Sequence, residues 1–345
     1  MHQLLSSDGS AARALVIHIL IAVAGSLLIV FSLPGTIELA LLTFAGILPA
    51  RKQLPLRGVQ RLPIDKLAVV IPAHDEAENI AAAVTSVAGC EIQPLIVRFA
   101  IVVIADNCTD DTAKIALNAG ARVIERTDET LRGKGYALQY GFDRLGGEGF
   151  NAFLIVDADT VVEPNLLIEI IGPLESGAGV QTRYGVLNPE ASIRTRLMNT
   201  ALMAVNVLRP RGRDRLGLSA GILGNGFALT SATLAAVPYD AHSVVEDLEY
   251  SLRIVRSGHR IAFADGTTVR GIMPAAGRGV ETQRTRWEGG RLRMILQNVP
   301  RLAQEILTGK PALIEPLLDL LLLPLAFHVI LLIAAAAIPF DAARI

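Results

Sequence analysis

The segment NAFLIVDADTVVEP, residues 151–164, contains a short apolar run that is followed directly by two carboxylates. The run FLIV is typical of a buried strand. Asp157 and Asp159 follow it at once, and two carboxylates at the end of a buried strand are costly to hold together unless a cation neutralises them. Oxygen ligands of this type suit Mg²⁺ or Mn²⁺. A solvated Asp-x-Asp turn is the alternative reading of this motif taken alone.

Two segments earlier in the chain also contain an apolar run of this kind. LAVVIPAH (67–74) and FAIVVIADN (99–107) are apolar, β-branched runs, each followed by a segment with helical periodicity. Strands of this kind separated by helices predict a mainly parallel sheet covered on both faces, a Rossmann-like half over roughly residues 65–160. In the second half, the sequence pattern predicts a strand at AGVQTRYGVL and a helix over 192–209. It then predicts a strand and a short helix in GILGNGFALTSATLAAV. It also predicts a helix ending near Gly258, followed by the strand HRIAFA.

Polar side chains follow these strands, where open α/β sheets bind ligands. Four groups stand out: Pro72 to Glu76; Asp106 and Asn107 with Thr109 and Asp110; Asp157 with Asp159; and Glu246 with Asp247 at a helix start. Some have plainer explanations. Thr109 and Asp110 fit helix caps, and Glu246 and Asp247 fit the acidic first turn of a helix. Gly224-Asn225-Gly226 permits close backbone approach to an acceptor, or is a simple turn.

Composition excludes several classes of protein. The net charge is −1, which does not indicate a nucleic-acid partner. The two cysteines, Cys90 and Cys108, do not make a disulfide framework and fit a reducing compartment. Charge is uneven, however: residues 190–300 contain fifteen arginines, no lysine and nine acids.

Apolar segments near both ends predict a membrane protein. Residues 14–33 are uncharged and, at about 1.5 Å per residue, reach roughly 30 Å, the thickness of a bilayer's hydrocarbon core. A secretory signal peptide is the alternative, but the stretch is long and SLPGT is a poor cleavage site. Residues 36–50 form a shorter second run, and the basic residues after it place the next segment in the cytoplasm. These residues are Arg51, Lys52, Arg57 and Arg61.

These patterns divide the chain into four regions. We predict a membrane anchor of one or two helices over 1–50, a cytosolic catalytic domain over 65–300, an amphipathic interface helix over 288–310, and a C-terminal transmembrane segment over 318–340. An ordinary surface helix is the alternative for 288–310.

In order and spacing, these motifs resemble those of the family 2 glycosyltransferases. The resemblance covers roughly residues 65–300 and rests on VVIPAHDEAENI, IADNCTDDT, LRGKGYAL, FLIVDADTVVEP, GNGFAL, VVEDLEYSLRI and QRTRW. It implies an α/β GT-A fold, with a Rossmann-like nucleotide-binding half and a mixed central sheet, flanked here by transmembrane helices. QRTRW, residues 283–287, matches the Gln-x-x-Arg-Trp signature of the membrane-bound branch, whose members make cellulose, chitin, hyaluronan or glycolipids. His74-Asp75-Glu76 departs from the family's usual Asn-Glu.

The resemblance also implies residue roles. Asp247 corresponds to the general base, and Asp159 to the ligand of the divalent metal, Mg²⁺ or Mn²⁺. The nucleotide-sugar would be contacted by Pro72, Asp75, Glu76, Asp106, Lys134 and Asp157. The acceptor and diphosphate would lie near Glu246, Gln283, Arg286 and Trp287.

The sequence therefore predicts an inverting glycosyltransferase at the cytosolic face of the cell inner membrane, anchored by more than one span. Its expected donor is a nucleotide-sugar, with UDP favoured, and its acceptor a lipid-linked sugar, a lipid or a glycan. The expected partners are the bilayer and other polysaccharide-assembly proteins. A processive β-polysaccharide synthase and a non-catalytic export subunit are the alternatives. A sugar nucleotidyltransferase would show a glycine-rich nucleotide loop, which VVIPAHDE lacks.

Overall fold

The computed structural model describes residues 4–48, 63–92, 98–273, 278–322 and 325–337. Within its helices, the side chains of residues 4–14, 278–288 and 325–326 are outside the description. The chain forms two compact units. One comprises Leu42–Asn298, and the other comprises Met1–Leu41 with Val299–Ile345.

The unit Leu42–Asn298 is built on a mixed sheet, in which eight strands are described. Their order across the sheet is β3-β2-β1-β4-β7-β6-β8-β5. Strands β1 to β4 are parallel, β7 runs antiparallel to both β4 and β6, and β8 is parallel to β6 and antiparallel to β5. The strands are β1 Lys66–Ala73, β2 Arg98–Asp106, β3 Arg122–Arg126, β4 Ala152–Ile155, β5 Thr160–Val162, β6 Gly179–Val186, β7 Phe227–Thr230 and β8 Ile261–Gly271.

Helices cover the sheet, and helices are also the first and last elements that the structure describes. A π-helical turn, Ala204–Leu208, joins α6 to α7. The helices are α1 Leu4–Ile47, α2 Ile80–Ala88, α3 Thr112–Asn118, α4 Lys134–Leu145, α5 Leu166–Glu175, α6 Ile193–Met203, α7 Arg209–Arg215, α8 Ser231–Ala236, α9 Glu246–Arg256, α10 Arg278–Leu307, α11 Ile314–Leu321 and α12 Leu325–Ala337.

Strand β1 shows why the apolar runs are continuous. Leu67, Val69 and Ile71 pack into the core beneath α2 and α5, whereas Ala68 and Val70 pack into the core beneath α4 and α9. Alternate side chains of a strand point to opposite faces, so a strand buried on both faces must be apolar at every position. The predicted doubly covered sheet is confirmed, and its mixed strand directions agree with the GT-A fold that the sequence predicts.

The structure extends the predictions for the second half. The predicted helix over 192–209 begins at Ile193 and continues, through the π-turn, to Arg215. The predicted strand HRIAFA becomes the 11-residue β8, because its far end pairs with β5 as well as β6.

The two apolar runs near the N-terminus lie in a single helix. Helix α1 continues through Pro34, and its part Leu15–Ile47, 33 residues, is the one helix over the described residues that is long and apolar enough to cross a membrane. The basic residues Arg51, Lys52, Arg57 and Arg61 lie outside the described residues.

The predicted C-terminal transmembrane segment, residues 318–340, lies partly outside the described residues. Its described part consists of α11 and the 13-residue α12, which is about 20 Å long and shorter than a bilayer's hydrocarbon core. Residues 323–324 and 338–345 lie outside the description. Inside this unit, Thr36 Oγ1 and His328 Nε2 are 3.0 Å apart, so α12 packs on α1 through a polar contact.

Helix α10 begins at Arg278, ten residues before the predicted interface helix, and ends at Leu307. The QRTRW motif is therefore part of the same helix as the arginine-rich segment that follows it.

Candidate active site

Asp157 and Asp159 lie in a tight turn that links β4 to β5. Thr160 closes this turn by donating its backbone N–H to the Asp157 carbonyl at 3.2 Å. The Asp157 amide donates to Asn225 Oδ1 at 3.1 Å, and Asn225 Nδ2 donates to Thr160 Oγ1 at 2.8 Å. Asn225 is almost fully buried, so it braces both ends of the carboxylate turn from inside the protein.

Lys134 ties three segments together at the first turn of α4. Its Nζ donates to Asp157 Oδ1 and, at 2.5 Å, to the Gly224 carbonyl. Burial by itself would lower the pKa of Lys134, but the carboxylates of Asp157, Glu246 and Asp247 outweigh it and raise this pKa. Lys134 is therefore charged at neutral pH and holds the carboxylate turn against the 224–226 loop.

Asp247 lies in the first turn of α9 and faces the same loop. A Cβ placed on Gly224 would be 3.1 Å from Asp247 Oδ2, so the loop backbone approaches this carboxylate closely. Asp247 Oδ1 accepts from the Leu248 amide at 2.8 Å, and burial raises the pKa of the carboxyl. A carboxylate with a raised pKa is a stronger proton acceptor than an exposed one, which suits a general base.

Glu246 is the second carboxylate of this turn. Its pKa is raised to about 7, chiefly by burial and further by Asp247, although Lys134 opposes the shift. The N-cap position is Val245, which makes no side-chain capping bond, so neither acid is the N-cap. First-turn stabilisation of the helix is still compatible with both residues.

Asp159 fits an oxygen ligand for a divalent cation. Its pKa is raised to about 6, first by burial and then by the nearby carboxylates of Asp157 and Glu76. Its carboxylate accepts a long hydrogen bond from Thr160 Oγ1, at 3.3 Å. A half-buried carboxylate beside two others is the donor set that a hard cation neutralises.

The loops after β1 and β2 adopt strained backbone conformations. Asp75 and Asn107 have φ of 53° and 52°, and they are the non-glycine residues with positive φ in the described chain. Such strain is concentrated at ligand-binding positions. Asp75 Oδ1 accepts from the Thr109 amide at 2.6 Å, and this bond lowers the pKa of the Asp75 carboxyl. The two loops are thereby held side by side.

Glu76 and Asp110 also help to hold the loops after β1 and β2 together. The Glu76 amide donates to Thr112 Oγ1 at 2.8 Å, and Asp110 accepts from the Thr112 amide at 2.9 Å. Asp110 thus accepts from the first residue of α3, but the N-cap position is Asp111, which makes no side-chain capping bond. Thr109 uses its hydroxyl on Asp75. A metal ion could find ligand atoms within 4.8 Å of one another on Asp75, Cys108 and Asp110. The hydrogen bonds described above already explain why the carboxylates of Asp75 and Asp110 lie where they do.

Asp106 turns inward rather than toward open space. Its carboxylate pairs with Arg126 at 2.6 Å, and both side chains are almost completely buried. Arg126 also donates to Asp128 at 3.1 Å and to the Leu131 carbonyl at 2.7 Å. Pro72 lies half-buried in β1, opposite Ile104 of β2, and so sets the backbone from which the Asp75 loop departs.

Two functional neighbours were missed by reasoning from the sequence. Arg126 carries no motif, and the residue opposite it, Asp106, becomes its partner through the β2–β3 register. Gln181 is fully buried in β6; its Nε2 donates to the Asn225 carbonyl at 2.8 Å and its Oε1 accepts from the Leu223 amide at 2.9 Å. The glycines around Asn225 were the signal that this loop matters, but they do not reveal its bracing role.

The structure thus brings together Lys134, Asp157, Asp159, Glu246 and Asp247 around the 224–226 loop, with Glu76 near Asp159. Gln283, Arg286 and Trp287 lie in α10, and their side chains are outside the described residues.

A sequence profile described as "Glycosyltransferase like family 2" matches residues 63–290, the segment that carries every strand and loop described above. The chain belongs to this family. The match covers well over half of the chain and includes the carboxylate turn, the 224–226 loop and the first turn of α9. The fold agrees, since the mixed α/β sheet is that of GT-A enzymes.

This protein is similar to several known proteins. It is 29% identical over 195 residues to a glucosyl-3-phosphoglycerate synthase of Mycolicibacterium paratuberculosis, a match that covers 50% of this chain and 55% of that protein. The chain therefore spans about half the length of that curated relative.

Among solved structures, a mannosyltransferase from Pyrobaculum calidifontis in complex with GDP-Man and Mn²⁺ has a TM-score of 0.59 at 17% identity, covering 94% of this chain and 87% of that one. This likeness concerns the fold. A glucosyl-3-phosphoglycerate synthase from Mycobacterium tuberculosis, in complex with Mn²⁺, UDP-Glc and phosphoglyceric acid, gives a TM-score of 0.42 at 25% identity, covering 63% and 74% of the two chains.

Proposed function

We propose that this protein is an inverting glycosyltransferase that moves a sugar from a nucleotide-sugar, with UDP the favoured nucleotide, to a lipid-linked or glycan acceptor at the cytosolic face of the cell inner membrane. The observation that carries this proposal is the meeting of Asp247 with the Lys134–Asp157 pair at the Gly224 backbone. A proton acceptor and a phosphate-compatible cation then lie on two sides of one loop.

Asp247 supplies the base. Attack on the anomeric carbon requires that the acceptor hydroxyl lose its proton, and the buried carboxylate with its raised pKa accepts that proton. Attack from the side opposite the leaving diphosphate inverts the anomeric carbon, so an α-linked donor gives a β-linked product. Glu246, beside the base, would lie on the acceptor side of the site.

Lys134, Asp157 and Asp159 serve the leaving group. Asp159, with Asp157, would hold Mg²⁺ or Mn²⁺, which would neutralise the charge that develops on the diphosphate. Lys134 is positioned by Asp157 and by the Gly224 carbonyl to turn from the carboxylate to a phosphate oxygen. From the family resemblance, Gln283, Arg286 and Trp287 would complete the diphosphate and acceptor side, while Asp75 and Glu76 would hold the nucleotide end. Asp106, whose carboxylate is buried against Arg126, would support that end through this pair.

The membrane part of the proposal rests on α1. An 18-residue window within Leu15–Ile47 has a mean hydropathy of 2.6, and this stretch exposes most of its apolar side chains, which suits contact with lipid. A second membrane element at the C-terminus would involve α12, and polysaccharide-assembly proteins would be the natural neighbours of such an enzyme.

A second candidate acceptor follows from the 29% identical relative, whose name specifies 3-phosphoglycerate as the group that receives glucose. A small phosphorylated acid is therefore the alternative to a lipid-linked acceptor.

The test is to incubate membranes containing the full chain with a panel of radiolabelled nucleotide-sugars, with Mg²⁺, Mn²⁺ or EDTA, and to separate the products. Label in a short organic-soluble product supports the proposal. Label in long polymer identifies a processive synthase, and label in a small anionic product formed with 3-phosphoglycerate identifies the alternative acceptor. If the folded chain transfers sugar from none of the donors, the proposed glycosyltransferase activity is contradicted.

A further inference from the structure

Helix α6 carries its apolar side chains on the outside. Ile193 is 79% exposed and Leu197 66% exposed, whereas Thr195 is completely buried. Residues four apart lie on one face of a helix, so Ile193, Leu197 and the exposed Ala201 form one stripe. A helix of a water-soluble surface shows the reverse pattern, with its apolar stripe turned to the core.

Arginines border this stripe on both sides. Arg194 and Arg196 are exposed and lie on opposite edges of it, and Arg196 pairs with the exposed Glu190. Long basic side chains beside an apolar stripe can contact the phosphates of lipid headgroups, while the stripe itself enters the boundary between headgroups and acyl chains.

The inward face of α6 is fixed firmly, so the exposure is not that of a frayed segment. Ser192 and Thr195 form a capping box: the Thr195 amide donates to Ser192 Oγ at 3.1 Å, and the Ser192 amide donates to Thr195 Oγ1 at 2.9 Å. Thr195 Oγ1 also donates to the Pro189 carbonyl at 3.0 Å.

Helix α6 is connected to the last turn of the candidate membrane helix. It passes through the π-turn into α7, and α7 packs on the residues of α1 that belong to the same compact unit. A Cβ on Gly212 would lie 2.2 Å from the Leu42 carbonyl oxygen, and one on Gly46 would lie 2.4 Å from the Leu208 carbonyl oxygen. Arg211 also donates to the Gly46 carbonyl at 3.3 Å. These contacts fix the end of α1 against the α6–α7 segment.

The strand on which α6 packs, β6, is followed by further exposed apolar residues near the active site. Leu187 and Ile272 follow the paired ends of β6 and β8 and are 38% and 40% exposed. The Ile272 amide donates to the Asp159 carbonyl at 3.3 Å, so this surface reaches the carboxylate turn.

We propose that the face of α6 formed by Ile193, Leu197 and Ala201, edged by Arg194 and Arg196, docks on the surface of an anionic lipid bilayer. This inference rests on the membrane location in the proposed function. The α6 face would be a second membrane attachment, separate from α1, and would hold the catalytic unit against the bilayer surface. Anionic lipid is the occupant because the edges of the stripe are cationic and because α6 leads directly to the end of the span.

The test uses the full chain in lipid nanodiscs of phosphatidylcholine, with or without phosphatidylglycerol. A single environment-sensitive fluorophore is attached at Leu197→Cys, and the matched control carries it at Leu117→Cys, an equally exposed leucine on α3. Both are made in a Cys108→Ser background, in which the remaining Cys90 is buried. Helix α3 packs at the opposite edge of the sheet order from β6 and β8.

We expect a lipid-borne nitroxide to quench the probe at 197 at least about threefold more than the probe at 117, and more strongly when phosphatidylglycerol is present. Arg194→Glu reduces the phosphatidylglycerol effect, whereas the matched charge reversal Lys114→Glu on α3 does not.

Three outcomes overturn the inference. Equal quenching at 197 and 117, in a chain that resists alkaline extraction, leaves the membrane location intact but contradicts the docking face. A probe at 197 that is shielded from water yet not quenched by lipid identifies a protein partner or a second copy. A chain that alkaline carbonate strips from the membrane contradicts the location in the proposed function, and the inference with it.

Discussion

Asn225 Oδ1 accepts the backbone amide of Asp157 at 3.1 Å, which joins the loop before β7 to the turn that carries both candidate ligand carboxylates. This one bond, with the 2.8 Å bond from Asn225 Nδ2 to Thr160, fixes the turn from both ends. The arrangement explains why the carboxylates keep their positions although they repel each other. It also identifies the 224–226 loop as the structural centre of the site.

Replacing Asn225 should therefore damage catalysis without removing a reacting group. We expect Asn225→Ala to lower kcat/KM by about tenfold to a hundredfold and to weaken the response to Mn²⁺, as loss of a residue that orients a metal ligand does. Steady-state transfer kinetics over a range of Mn²⁺ concentrations measure this. The control is Asn165→Ala, which removes an exposed bond to the Gly266 carbonyl and should leave the kinetics unchanged. A normal Mn²⁺ response in Asn225→Ala would refute the bracing role.

Gly224 should not tolerate a side chain. Its φ is +80°, and a Cβ would lie 3.1 Å from Asp247 Oδ2. We expect Gly224→Ala to lower kcat by at least about tenfold, because the base is displaced, in addition to a strain of about 1–2 kcal/mol. Gly217→Ala is the matched control, since its φ is +77° and a Cβ there meets nothing within 4 Å. Equal kcat values for the two variants would show that Gly224 matters through strain alone.

The Asp106–Arg126 pair should contribute to stability through its burial. Arg126→Met leaves a buried carboxylate without its cation, and we expect a loss of about 3 kcal/mol. The double variant Asp106→Asn with Arg126→Met should recover part of that loss. Thermal unfolding followed by near-ultraviolet circular dichroism compares the three proteins. If the double variant is as unstable as the single one, the cost does not come from the unpaired charge.

Glu246 makes stability depend on pH. Its pKa in the folded protein is about 7, against an ordinary value of 4.5, so the folded state binds the proton more tightly than the unfolded state. Stability therefore falls as pH rises from about 4.5 to about 7, and stays low above that. Compared with Glu246→Gln in metal-free buffer, the wild type should unfold at a lower temperature at pH 8, and the difference should shrink at pH 5. A difference that does not change with pH would show that folding does not raise the pKa of Glu246.

Much of this fold can be predicted from the sequence, because its strands are buried on both faces and its ligand loops follow them directly. Leu67 to Ile71 is one such strand, and the carboxylate turn was found from FLIV and the two aspartates alone. The partner of Asp106 could not be found in this way, since Arg126 reaches it only through the register of β2 with β3. The continuity of α1 through Pro34 is also not evident from the sequence, because a proline inside a helix removes a backbone donor and predicts a break. The exposed stripe of α6 was also hidden, because an amphipathic pattern does not say which face is covered.

The central claim is that Asp247 is the base in sugar transfer, and the most direct measurement compares transfer and donor binding in Asp247→Asn and wild type. Glu249→Gln, on the same helix turn and paired with Arg253, is the matched control. With the donor identified by the product panel, we predict that Asp247→Asn lowers the transfer rate by about a hundredfold to ten-thousandfold, the usual contribution of a general base. Its Kd for the nucleotide-sugar, measured by calorimetry, should remain close to that of wild type, and the control should be unchanged in both. Transfer by Asp247→Asn at the rate of wild type would contradict the account.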